Sequence, residues 1–276
     1  MGPIGVFDSG YGGLTVLAAL RDRFPEYDFL YLGDNARAPY GTRSFDVVYE
    51  YTLEAVEELF SRGCHLVILA CNTASAKALR TIQQKDLQHI APEKRVLGVI
   101  RPSAEEIGTL SNSKHVGILA TEGTVRSNSY VLELAKFSPE ITVHQQACPM
   151  WVPLIENNRH ESIAGQQFIK EDLAKLLTSD PSIDVILLGC THYPILQDFL
   201  QELVGEAIQV VAQGGIVADK LADYLQRHPE IDAKCNKNRV IEFLTSENSE
   251  TFDANVKQFI GWDVHAKHVQ LGKKSI

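Results

Sequence analysis

The chain has 276 residues, 45% of them hydrophobic and 22% charged, so it can bury a core without disulfides or metal staples. Its 26 basic against 35 acidic residues leave a formal net charge of -9 with no Lys/Arg-rich run, which argues against nucleic acid or an anionic membrane as a partner. Five cysteines with no C-x-x-C pair exclude a disulfide framework and a zinc ribbon. With no basic-then-apolar start and no apolar run near ~20 residues, the expectation is a cytoplasmic protein.

Short aliphatic runs predict strands at 3–8, 28–34, 65–71, 95–100, 115–121, 141–147, 184–190 and 208–213. Between them lie helical stripes, such as Thr52, Val56, Leu59 and Phe60, or Ile169, Leu173, Leu176 and Leu177. This alternation reads as an α/β fold with a mainly parallel sheet covered on both faces. The stretch "QHIAPEKR" (88–95) marks a candidate connection between lobes, and "GEAIQVV" (205–211) a candidate return. Internal echoes are visible: "IGVFDSGYGG" against "VGILATEGTV" (116–125), and "VILACNTA" (67–74) against "VILLGCTH" (185–192). Two related lobes, 1–97 with 207–276 and 98–206, would account for them.

In open α/β sheets ligands bind beyond the carboxyl ends of the strands. Four groups fall there: Asp8 with Ser9, the loop "GDNARAPYG" (33–41), Cys71 with Asn72 and Thr73, and Cys190 with Thr191 and His192. Helix-start signals follow each cysteine, so both thiols are expected to feel the positive end of a helix dipole, which lowers a thiol pKa from ~8.5. Taken alone, either cysteine reads as core, because free cysteine is among the most buried residue types. Asp8 and Ser9 read equally as caps of a helix beginning near Gly13. The combination favours chemistry, since each thiol has a candidate partner: Asp8 for Cys71 on a neighbouring strand, and His192 for Cys190. Cys64 and Cys148 read as buried packing, and Cys235, in "AKCNKN", as an exposed loop residue.

The glycines of "DSGYGG" do not have nucleotide-turn spacing; they suggest a tight strand-to-helix turn where a ligand meets backbone N–H groups. A zinc site would need Cys71, Cys190, His192 and Asp8 to converge from both lobes; no metal is expected.

At these residues the chain resembles the glutamate racemase family over most of its length. The stretches "FDSGYGGLTVL" (7–17), "YLGDNARAPYG" (31–41), "ACNTASA" (70–76), "GTVRSNSY" (123–130), "CPMWVPLIE" (148–156) and "LGCTHYPIL" (188–196) carry the likeness, in that family's order. "THYP" after the second cysteine favours glutamate over aspartate. The resemblance implies two pseudo-symmetric α/β domains with the active site between them, no cofactor, and a homodimer that interconverts L- and D-glutamate for peptidoglycan. It assigns the two bases to Cys71 and Cys190, assistance to Asp8, His192 and Glu156, and substrate contacts to Ser9, Tyr40, Gly41, Asn72, Thr73 and Thr191. Asn35 and Arg101 depart from the family's pattern.

Such chemistry suits these residues. Racemisation removes a proton from one face of a carbon and returns one to the other, which needs two acid–base groups on opposite sides. Without pyridoxal phosphate as electron sink, fixed dipoles must steady the developing charge. Asp8 would hold a proton near Cys71, whereas a protonated His192 would favour a thiolate at Cys190. Arg37 and Arg126 are nearby cations with no assigned role.

Overall fold

The computed structural model describes residues 1–272. In chain order, β1 (Ile4–Asp8), β2 (Phe29–Gly33), β3 (Leu66–Leu69) and β4 (Arg95–Gly98) build a first sheet. A second is built from β5 (His115–Ala120), β6 (Thr142–Ala147), β7 (Val185–Gly189) and β8 (Gln209–Val211). The strands β9 (Ile241–Thr245) and β10 (Ala266–His268) then join the first sheet, giving the order β10-β9-β2-β1-β3-β4 against β6-β5-β7-β8. Pairing between these strands is parallel throughout.

Helices cover both faces of each sheet, which is why the central strands read as unbroken aliphatic runs rather than alternating ones. On β1, Ile4 and Val6 pack into one core with Leu14 and Leu17 of the helix Gly13–Arg23, while Phe7 turns to the other core with Val56 and Leu59. On β7, Val185 and Leu187 face one core and Ile186 and Leu188 the other. Each such side chain stabilises the fold by roughly 1.5–3 kcal/mol when fully buried. The helix Phe45–Ser61 starts where Ser44 accepts a hydrogen bond from the Val47 N–H, and it buries Thr52, Val56, Leu59 and Phe60 as its stripe predicts. In the helix Ile163–Ser179, Ile169, Leu173 and Leu176 are buried and Leu177 is half-buried.

The halves repeat one another: β2-β1-β3-β4 has the same connectivity as β6-β5-β7-β8. Register makes the match finer than the sequence echoes do. Phe7 of β1 sits opposite Leu69, and Leu119 of β5 sits opposite Leu188. Cys71 and Cys190 each follow two residues later, so the thiols occupy equivalent places. The echo aligned from Val67 and Val185 misses this by one residue.

Three expectations are corrected. Residues 88–95 run from a short helix (Leu87–Ile90) into β4, still within the first sheet. The crossing comes later, through the helix Ile100–Leu110, whose Ile100, Ala104 and Ile107 join the second sheet's core. The return likewise follows Val211 rather than residue 206, because β8 pairs with β7 and only the helix Gln213–Arg227 brings Val217, Leu221 and Leu225 into the first core. Cys235 is buried, its Sγ 3.4 Å from the Ile231 carbonyl, because the loop around it folds under the start of the chain. The strands β9 and β10 are unanticipated additions to one edge of the first sheet.

Candidate active site

A cavity of about 90 Å³ lies between the sheets at the carboxyl ends of β1, β3, β5, β6 and β7. Since one water needs roughly 10–15 Å³ of such space, the cavity admits a small molecule of several heavy atoms. Ser9, Tyr40, Gly41, Cys71, Asn72 and Thr73 line it from the first lobe, and Glu156, Cys190, Thr191 and His192 from the second.

Cys71 is itself the N-cap of the short helix Asn72–Lys77: its Sγ accepts from the Ala74 N–H at 3.5 Å and lies 3.5 Å from Ser9 Oγ. The helix start does not lower its pKa. Burial pushes the thiol up to about 12, and the Asp8 carboxylate adds to the rise, outweighing the donors from Ser9 and Ala74. The dipole expectation fails here because burial and the neighbouring Asp8 outweigh the helix-start donor.

Asp8 does not cap the following helix, which begins without a side-chain cap at Gly12. Fully buried behind Ser9, it accepts from the Gly10 N–H at 2.9 Å and from Thr191 Oγ1 at 3.1 Å. Burial raises its pKa, opposed by His192, Gly10 and Thr191. Asp8 therefore bears on Cys71 through charge, and on the opposite lobe through Thr191, whose carbonyl in turn accepts from Thr15 Oγ1 at 3.0 Å.

On the second lobe His192 is buried, with Nδ1 4.0 Å from Cys190 Sγ and Nε2 2.9 Å from Glu156 Oε1. Burial works to lower the imidazole pKa, but the contacts with Cys190 and Glu156 prevail and hold it at about 10. An imidazole with a raised pKa thus stands beside one sulfur and a buried carboxyl group beside the other.

Substrate-contact candidates divide by what their polar atoms already do. The Tyr40 hydroxyl donates to Asp34, so this ring shapes the wall. Thr73 Oγ1 meets Thr121 Oγ1 across the lobes at 3.0 Å, and the Gly123 N–H donates to the Gly41 carbonyl at 2.8 Å. Asn72 is anchored from behind: its Nδ2 donates to Gln213 at 2.6 Å and its Oδ1 accepts from Tyr130 at 2.6 Å. Gln213 Nε2 also reaches Ser103 Oγ at 2.8 Å and the Tyr130 hydroxyl at 2.5 Å, closing a buried network across both lobes.

Cys148, Thr121 and Glu122 line the cavity too, although sequence reasoning gave Cys148 only a packing role and passed over the others. The strand-end rule would have found them, since they follow directly on β6 and β5. Arg37 is engaged by Asp34 and Glu54, Arg126 by Glu122, and Arg101 by Glu105. Asn35 meets Thr245 at 3.3 Å. None of these four is among the residues lining the cavity.

Paired α/β lobes that present equivalent strand-end thiols to one enclosed cavity, each with an ionisable group behind it, define a class of proteins suited to moving protons on a small molecule. The model of the Asp/Glu/Hydantoin racemase family matches residues 15–220, and the chain belongs to that family. It is 42% identical over 268 residues to a glutamate racemase of Ruegeria sp. (strain TM1040), covering 93% of this chain and 96% of that one. Its structure is similar to that of glutamate racemase isoform RacE1 of Bacillus anthracis, with TM-score 0.88 and 31% identity over 98% of this chain and 97% of that one. It is also similar to a glutamate racemase of Francisella tularensis in complex with D-glutamate, with TM-score 0.84 and 29% identity over 98% and 97%.

Proposed function

We propose that this protein is a cofactor-independent glutamate racemase, interconverting L- and D-glutamate, with Cys71 and Cys190 as its two acid–base groups. One observation carries the assignment of the bases: both thiols stand at equivalent strand ends in the wall of the same cavity. For one enantiomer Cys190 takes the α-proton and Cys71 supplies a new one from the far side; for the other the roles exchange. The resting state is suited to this, since burial and Asp8 keep Cys71 protonated, and a protonated His192 attends Cys190.

The substrate is acidic, and among the described residues lining the cavity there is no Lys or Arg. Its carboxylates are held instead by donors: the hydroxyls of Ser9 and Thr73, the Asn72 amide, and the N–H groups of Asn72 and Thr73 in the first turn after Cys71, which no helix carbonyl takes, while Thr191 lines the cavity with its hydroxyl given to Asp8. These same dipoles steady the charge that develops as the α-proton leaves. Asp8, His192 and Glu156 act by setting the protonation of the sulfurs.

The D-glutamate formed supplies peptidoglycan synthesis. The two domains are read as 1–97 with the chain from the return crossing onward, and the segment between. We read the protein as a cytoplasmic homodimer; no described helix is long and apolar enough to cross a membrane. Light scattering on the purified chain tests the dimer.

The decisive assay follows α-hydrogen exchange in deuterated water from each enantiomer of glutamate. Wild type labels the product. Cys71→Ser and Cys190→Ser are each expected to lose racemisation by ~10²–10⁴-fold, the usual weight of a general acid–base group. A single serine variant that still racemises at the wild-type rate would remove that sulfur from the chemistry, and exchange from aspartate but not glutamate would move the substrate assignment.

A further inference from the structure

At the end of the second sheet remote from the cavity, three side chains converge. His115 opens β5, His144 lies on neighbouring β6, and Asp180 terminates the helix Ile163–Ser179. Register sets His144 opposite Gly117, two residues on from His115, so both imidazoles leave the same face of the sheet. Gly117 lets the helix settle close over that face: a Cβ there would stand 2.8 Å from Leu176 Cδ2. Asp180 consequently reaches both rings, its Oδ2 2.5 Å from His115 Nδ1 and 2.9 Å from His144 Nε2. One donor atom from each of the three lies within 4.8 Å of the others.

Two features distinguish this from an ordinary ion pair. His144 Nε2 is buried and, although near the carboxylate, is not aligned to hydrogen-bond with it. The other ring nitrogen explains why that matters. Ser179 Oγ donates to the Leu176 carbonyl at 2.6 Å, which leaves the oxygen to accept from His144 Nδ1–H at 3.4 Å. With Nδ1 so engaged, a neutral His144 would offer its Nε2 lone pair beside the Asp180 carboxylate, which is how a metal-ligating imidazole presents itself.

We propose that His115, His144 and Asp180 form a binding site for a first-row divalent metal ion of the zinc, nickel or cobalt class. Two imidazoles and one carboxylate are a donor set that such ions take, at bond lengths of ~2.0–2.2 Å. Ligands around one ion stand roughly 3.0–3.4 Å apart, so each imidazole needs to draw back from Asp180 by less than ~1 Å. The side chains are 33%, 26% and 12% exposed, which leaves room for water at the remaining positions. Cys190 is six residues along β7 from the position opposite His115, about 20 Å away at ~3.3 Å per residue. At that distance the ion takes no part in proton transfer; it clamps two strands to a helix end.

The test uses the full-length Cys71→Ser/Cys190→Ser double variant, which removes the two proposed acid–base thiols as competitors, titrated with Co²⁺ by calorimetry and visible absorption. Saturable binding of one ion, with ligand-field bands but no thiolate-to-cobalt charge transfer, is expected, together with a higher Tm at saturation. His144→Gln and Asp180→Asn, each added to that background, should weaken binding at least ~10-fold. Absence of saturable binding would overturn the proposal. So would binding that both substitutions leave unchanged, or a charge-transfer band, which would assign the ion to a remaining cysteine.

Discussion

Gly12 offers a direct test of how closely the lobes must meet. Its backbone is ordinary right-handed helical, so the reason for glycine is space. A Cβ built there would stand 2.5 Å from His192 Nδ1 and 2.8 Å from Cε1, and closer still to Thr191 Oγ1. Carbon in ordinary contact sits at ~3.5 Å, so Gly12→Ala must drive the second lobe's wall back by roughly 1 Å. Neither neighbour is free to swing aside, because Thr191 is bonded to Asp8 and His192 is bonded to Glu156. Overpacking of this kind costs ~1–3 kcal/mol of stability. A 1 Å misplacement of reacting groups costs on the order of 10²-fold in rate, or ~2.7 kcal/mol. Racemisation rates by circular dichroism, set beside thermal unfolding, measure both. Gly215→Ala is the control, since a Cβ on that exposed helical glycine meets nothing and should add ~0.5–1 kcal/mol of stability with activity intact. If Gly12→Ala keeps turnover within threefold of wild type, the lobes do not need this close approach and the reasoning fails.

Three further outcomes follow from the site. With its pKa raised to about 10, His192 contributes stability that is fully present below the unfolded value of ~6.5 and is lost as pH rises through about 10. Glu156→Gln removes one cause of the rise, so the Tm difference from wild type should be largest near pH 6.5 and shrink toward pH 10; a difference that grows with pH would contradict this. In the Cys190→Ser background, alkylation of Cys71 should be slow at neutral pH and quicken about tenfold per pH unit up to about 12, because only the thiolate reacts; a plateau near pH 8 would show that burial and Asp8 do not govern it. Replacing Gln213 by Leu strands buried donors and acceptors on Asn72, Tyr130 and Ser103, at ~1–3 kcal/mol for each group left unpaired. Denaturant unfolding should register that loss, and turnover should fall as Asn72 loosens; unchanged stability would mean the network relaxes at no cost.

What could be read from the residues was whatever local pattern encodes. An aliphatic run ending in cysteine marks a strand end, and two of them located the cavity wall. The β-α alternation likewise revealed parallel pairing, while the division into two sheets was legible only through the internal echoes and the family likeness. Legibility failed where the cause is long-range. The pKa of Cys71 depends on burial and on Asp8, and a helix-start pattern says nothing of either. Gln213 bears no chemical signature, and its partner Asn72 lies 141 residues away. The strand Ile241–Thr245 was passed over because its first half, Ile241 and Glu242, is only partly covered and so lacks a long buried run. Glu156 was reached through family likeness alone, since the 36 residues separating it from His192 carry no periodic sign of their contact.

The two halves of the wall share a backbone plan but not a chemistry: Ser9 and Asp8 attend one sulfur, His192 and Glu156 the other. Mirror-image amino acids have identical free energy in water, so their equilibrium constant is one, and kcat/KM must be equal for the forward and reverse reactions whatever the protein does. The lopsided wall can therefore bias only how that common ratio splits between kcat and KM. Handedness preference in this protein is a matter of which isomer saturates it first, never of which isomer it finally accumulates.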